Sequence, residues 1–532
     1  MPVHAIQPTM PSRLARSPRR ARVRPTPLAW ALACGLLACG MAWAQEPPPA
    51  PAPTNGNGNG QRATAESRWP APLAQALKSS GLPADAVSLG VWPVEDGPER
   101  LQHAVDTPRL AASVMKLFTT GAGLRVLGPA YTWRTEVGLG GPVKASGALD
   151  GPLYLRGQGD PSLVIEKLQL FMARWRAGGL REVRGDVVID RSAFSVPPHD
   201  PAAFDGQSLK PYNAGPDALL LNHQAVTLRI APDAAQPETL RASLEPELHG
   251  VTLQTRLNAR AGVACGDWRE ALSLAITPMA GGPQDGRNRW RVELKGSYPL
   301  SCGEREWPLL WTGDGPGDHT ARVLAQSWML AGGQLGGTVR EGTWPTDVPV
   351  WQTWTSPPLA QVIRDINKFS NNVMARQLFL TLALPERRPA TLEAARQAVA
   401  QTVRQATQAN GGTPCGDEAL VLDNGSGLSR SERTSARCLA AWLRGMWRSP
   451  LMPEFMSSLP INGQDGTTRR WQVGAGQAHI KTGSLDGVSA VAGYVLADSG
   501  QRYIVIGLIN HPRASAGRPL LQALIEWAQH DQ

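Results

Sequence analysis

At 532 residues, with 42% hydrophobic and 18% charged side chains, the chain is too long for one core and too polar for a multi-spanning membrane protein. Its formal net charge of +9 is concentrated at one end: residues 1–45 hold six arginines and no acid, which leaves +3 for all the rest. No basic run remains that could track a phosphate backbone, so a nucleic-acid partner is not expected.

Taken in chain order, the first element is an export signal. An arginine-rich start precedes the apolar stretch Leu28 to Met41 and the small-x-small triplet Ala42-Trp43-Ala44. That stretch is short against the roughly 20 residues of a bilayer span. Leu36-Leu37-Ala38-Cys39 offers a competing lipoprotein-type cleavage before Cys39, which would leave a lipid-anchored protein. Cleavage after Ala44 and a soluble periplasmic protein is the favoured reading. Glu46 to Ala65 is rich in Pro, Gly and Asn and reads as a tether, with folded sequence beginning near Trp69.

Ser113–Leu127 carries apolar residues at helical spacing and stops at Gly128-Pro129. From Tyr131 to Trp311 short alternating stretches dominate, among them 185–190, 225–230 and 289–295, separated by Gly, Pro and Asp turns. Helical patterns return at 321–331, 359–384 and 391–409. Two strands, 487–497 and 502–510, flank the turn Asp498-Ser499-Gly500, and an amphipathic helix over 517–529 closes the chain. The expected organisation is a signal (1–44), a linker (45–65), and an α/β domain in two parts (66–138 and 321–532) flanking a β-rich insertion (139–320). Four cysteines lie outside the signal: Cys265, Cys302, Cys415 and Cys438. Three pairings into two disulfides are open, with the sequence neighbours Cys265–Cys302 and Cys415–Cys438 favoured. No Cys-x-x-Cys spacing suggests zinc.

Only eight of the 53 basic residues are lysines. Lysine can lose its proton when desolvated and arginine cannot, so an arginine-rich chain can keep lysine where a neutral amine is needed. Two of the eight fall in short motifs. Ser113-Val114-Met115-Lys116 places a hydroxyl and an amine three residues apart, on one helical face, where the amine can take the hydroxyl proton. Ser370-Asn371-Asn372 puts a hydroxyl and an amide on a polar turn. Lys481-Thr482-Gly483, followed by Ser484, is a strand end whose glycine lets another backbone approach.

In this order the three motifs resemble the Ser-x-x-Lys, Ser-x-Asn and Lys-Thr-Gly set of penicillin-binding proteins and β-lactamases. The 257 residues separating Ser113 from Ser370 are similar to the long insertion of the D-alanyl-D-alanine carboxypeptidase/endopeptidase family, the class C low-molecular-mass penicillin-binding proteins. The segments 155–161, 212–216, 423–430 and 459–467 carry the same resemblance, which spans about residues 70–530. It implies a β-lactamase-like transpeptidase domain, an antiparallel sheet with helices. It also implies serine peptidase activity on peptidoglycan stem peptides, acylation by β-lactam antibiotics, and neither a metal nor an organic cofactor. The roles it implies are Ser113 as nucleophile, Lys116 as base, Ser370 and Lys481 as proton relay, and Asn372 as a substrate amide contact. Thr482, Gly483 and Ser484 would bind substrate along the strand, and Asp160 and Arg430 would meet the stem peptide's polar side chain. Asp486 departs from the uncharged amide, such as glutamine, that the family leads one to expect. A β-lactamase, or an inactive peptidoglycan-binding relative, are the alternatives.

Overall fold

The sequences Val488–Leu496 and Arg502–Asn510 are apolar on both faces, which suits strands at the centre of a covered sheet. In the structure, a computed structural model that describes residues 69–280, 287–386, 388–408 and 414–531, they are such strands. The expected signal, cleavage sites, Cys39 and tether lie outside the described residues. Among the described residues no helix is long and apolar enough to cross a membrane.

The sheet is antiparallel, in the order Leu101–His103, Val87–Pro93, Arg502–Asn510, Val488–Leu496, Ala478–Leu485. Val491, Val495, Val505 and Ile509 face the helices Ala71–Ser80 and Arg518–Gln529. Ala490, Ala492, Ile504, Ile506 and Leu508 face a larger core with the helices Lys116–Leu127, Leu359–Lys368, Asn372–Thr381, Leu392–Thr407 and Ala436–Trp447. Ala478–Leu485, which carries Lys-Thr-Gly, is the last strand of the sheet; its start bridges Ile461, and its Lys-Thr-Gly end pairs with no further strand among the described residues.

Two expected helices are interrupted, both at motif residues. The stretch 113–127 opens as a 3₁₀ turn, Ala112–Met115, before the α-helix Lys116–Leu127. The run 359–384 is two helices, Leu359–Lys368 and Asn372–Thr381, parted where Ser370 takes φ +57°. Asn371 restarts the helix by accepting the Met374 N–H at 3.0 Å.

The region between the first two motifs has a hydrophobic core of its own. Its five-stranded sheet runs Val339–Glu341, Val187–Asp190, Leu153–Gly157, Arg134–Leu139, Val350–Thr355. Arg134–Leu139, Val339–Glu341 and Val350–Thr355 thus share a sheet with strands of the region expected as the insertion, and the helix Asp318–Leu330 packs in the same core. Local alternation does not reveal this, because Val339 pairs with Val187 and Thr355 with Arg134, partners remote in the chain. The disulfides are Cys265–Cys302 and Cys415–Cys438, the favoured pairing.

Candidate active site

Ser113 sits on the 3₁₀ turn and Lys116 is the first residue of the helix, so their side chains share a face and Lys116 Nζ lies 2.9 Å from Ser113 Oγ. Two further groups meet the same amine. Lys116 Nζ donates to Asn372 Oδ1 at 2.5 Å and to the Ser426 carbonyl. Both are pure acceptors. A neutral amine has two N–H bonds and one lone pair, so filling those acceptors leaves the lone pair for the serine hydroxyl. Lys116 is fully buried, and desolvation holds its pKa well below a lysine's ordinary value, with repulsion from Lys481 and Arg376 adding to the effect against Glu432.

A second hydroxyl–amine pair lies alongside. Lys481 Nζ donates to the Thr482 carbonyl at 2.7 Å and lies 2.9 Å from Ser370 Oγ, and burial brings its pKa down to about 7. The left-handed backbone of Ser370 turns its hydroxyl toward this lysine instead of continuing the helix. Gly483 is required for steric reasons. A Cβ there would come 2.4 Å from the Ala111 carbonyl and 3.1 Å from Ser113 N, so the strand and the Ser113 turn touch through it. Ser113, Ser370, Thr482, Gly483 and Ser484 line one cavity of about 340 Å³, and Thr482 Oγ1 meets Thr467 Oγ1 at 2.9 Å.

Residues 70–530 match the model of the D-Ala-D-Ala carboxypeptidase 3 (S13) family. The chain belongs to this family. A D-alanyl-D-alanine carboxypeptidase of Actinomadura sp. (strain R39) is 28% identical over 452 residues, covering 79% of this chain and 78% of its own. The D-alanyl-D-alanine carboxypeptidase DacB of Haemophilus influenzae is 24% identical over 411 residues, covering 75% and 80%. The crystal structure of penicillin binding protein 4 from H. influenzae superposes with TM-score 0.65 at 20% identity, covering 86% of this chain and 98% of its own. It shares the fold.

Not every expected site residue of this S13 enzyme joins the cluster. Arg430 is at a rim, its guanidinium 5.1 Å over the Phe204 ring and donating to the backbone carbonyl of Asp486 at 2.8 Å. The exposed Asp486 thus meets Arg430 through its main chain. Asp160 is only 3% exposed and does not line the cavity. Its Oδ1 accepts the Ser162 N–H and O–H, both at 2.8 Å, closing a turn, and burial raises its pKa.

One residue of the site escaped the motif reading. Glu432 is fully buried, and its carboxylate accepts the backbone N–H groups of Asp423 (3.0 Å), Asn424 (3.0 Å), Gly425 (2.7 Å) and Gly427 (2.7 Å). This clasp shapes the loop that presents the Ser426 carbonyl to Lys116, so Glu432 acts on the Lys116 amine through the backbone. Desolvation pushes its pKa up against those hydrogen bonds. The available signal was an acid two residues beyond the segment 423–430, set between Arg430 and Arg433. Among the described residues no group of three His, Cys, Asp or Glu is arranged to hold a metal ion.

Proposed function

We propose that Ser113 is the acylating nucleophile of a D-Ala-D-Ala carboxypeptidase/endopeptidase acting on peptidoglycan stem peptides. The observation that carries the assignment is the buried Lys116 amine, whose two acceptors leave its lone pair for Ser113. Ser113 Oγ attacks the carbonyl carbon of the penultimate D-Ala while its proton passes to Lys116. The oxyanion is taken by the backbone N–H groups of Ser113 and Ser484, donors that side-chain substitution leaves in place. The C–N bond then breaks, and the leaving amine receives its proton through Ser370 and Lys481. Water hydrolyses the Ser113 ester and restores the hydroxyl. Asn372 holds the substrate amide, while Lys481 and Thr482 engage the carboxylate beside the leaving amine.

The same attack on a β-lactam carbonyl gives a long-lived acyl-enzyme, and the H. influenzae structure of this fold has also been determined with a β-lactam. Export to the periplasm is part of this proposal, supported by the apolar stretch before Ala42-Trp43-Ala44. Arg430, at the rim, is assigned to the stem peptide's polar side chain, whereas Asp160 is occupied in its own turn with Ser162.

The test uses mature protein and defined muropeptides read by mass spectrometry. Loss of one alanine from pentapeptides, or scission of crosslinked dimers, is expected in the parent and absent in Ser113→Ala. Rapid turnover of a chromogenic cephalosporin without muropeptide cleavage would overturn the reading in favour of a β-lactamase.

A further inference from the structure

The cavity that exposes Ser113 continues past the edge of the Lys-Thr-Gly strand to Arg518, the first residue of the C-terminal helix. Strand register divides its walls. Gly483 pairs with Ala490 and faces the Ser113 turn, whereas Thr482 pairs with Val491 and Ser484 with Ser489 on the opposite face. Val491 shares its core with Leu521 and Leu524 of the helix Arg518–Gln529, so that helix covers the face bearing the Thr482 and Ser484 hydroxyls. A substrate lying along the strand edge has its scissile carbonyl on the Ser113 side and its terminal group toward these hydroxyls.

The charges there are all of one sign. Among the described residues the lining of this cavity includes no carboxylate, and Arg518 is its one charged side chain, with Lys481 buried in the adjoining wall. The Arg518 guanidinium is exposed and has no hydrogen-bond or ion-pair partner among the described residues. Most other arginines near the sheet are committed, as with Arg437 to Asp106, Arg448 to Asp96, and Arg109 to Ser88 and nearby carbonyls. An uncommitted guanidinium that lines one cavity with the Thr482, Ser484 and Ser489 hydroxyls, with no competing acid, fits a carboxylate.

We infer that Arg518 recognises the carboxylate on the carbon bearing the leaving amine and thereby sets the preference for substrates that carry this anion. The inference rests on the acyl-transfer reading given above and adds a binding residue from the opposite end of the chain. Arg518 touches only the leaving group, so its contribution applies to substrates with that carboxylate and to no others.

Two N-acyl-D-alanyl thioesters separate the possibilities, one with a carboxylate on its leaving group and one with that carboxylate methylated. Both carry an activated leaving group, so Ser113 can be acylated even where the anion is masked. With purified full mature chain, Arg518→Ala is expected to lower kcat/KM about tenfold for the carboxylate thioester, mainly through KM, and to leave the methyl ester unchanged. Arg518→Lys restores most of the loss, and added salt raises KM in the parent more than in Arg518→Ala. Equal effects on the two thioesters, or no effect on either, would overturn the assignment while leaving the role of Ser113 intact. Failure of the parent to turn over either thioester would remove both.

Discussion

Replacing Lys481 by methionine separates what the site needs from what the fold prefers. In the unfolded chain this lysine ionises near its ordinary 10.5, and in the folded protein burial lowers that to about 7. Because the folded value is depressed, the unfolded state binds more protons between these two pH values. The cost to stability is therefore full below about pH 7 and fades as pH rises toward 10.5. At roughly 1.4 kcal/mol per pH unit the interval amounts to about 5 kcal/mol. Lys481→Met removes that cost and forfeits the contacts with Ser370 and the Thr482 carbonyl, together worth about 2–3 kcal/mol. The variant should be more stable than the parent by about 2 kcal/mol near pH 7, visible as a rise of a few degrees in Tm. Near pH 10 the relieved cost shrinks to about 1 kcal/mol and the variant should become the less stable protein. Turnover should be lost throughout, since the relay is gone. Thermal unfolding of both proteins at the two pH values, beside fluorescent-penicillin labelling, tests this directly. A variant that is less stable near pH 7, or whose offset is the same at both pH values, would refute a Lys481 held near neutrality by burial.

Four further outcomes follow from the same geometry. Ser113→Ala should fold and take up no covalent penicillin label on a denaturing gel; persisting label would displace Ser113 as nucleophile. Lys116→Arg puts a permanent positive charge where the neutral amine sits and has no lone pair to take the hydroxyl proton, so acylation should slow by about 10²–10⁴-fold in stopped-flow measurements; a near-parental rate would end the neutral-base account. Glu432→Ala strands four buried N–H groups and should cost about 3–5 kcal/mol, with acylation falling beyond the loss of folded protein, while Glu432→Gln, which still offers one carbonyl oxygen, should lose less of each. Gly427 has φ +76°, and a Cβ there would sit 1.9 Å from the Ala112 carbonyl, so Gly427→Ala should displace the nucleophile turn and reduce labelling at least tenfold even where Tm shows the protein folded.

What the sequence by itself made legible is the set of motif residues that the structure brings together. Residues needed for a neutral lysine base are restricted in type and in short-range spacing, so Ser113 with Lys116, Ser370 with Asn372, and Lys481 with Thr482 and Gly483 are legible as local strings. The central strands are legible for a related reason: burial on both faces demands the continuous apolar runs at 488–496 and 502–510. Tertiary structure decided what depends on partners remote in the chain. Val339–Glu341 and Val350–Thr355 join the inserted sheet because their hydrogen-bonding edges are supplied by Val187–Asp190 and Arg134–Leu139, which no local pattern records. The break at Ser370 reflects a backbone turned toward Lys481, 111 residues away, against an otherwise helical propensity. Glu432 and Arg518 are ordinary charged residues in sequence. Each acquires its place only when folding puts one beneath the loop that steers Lys116 and the other at the far end of the nucleophile's cavity. Local composition encodes which groups can react, whereas burial and charge proximity, which set their protonation and their partners, are properties of the folded whole.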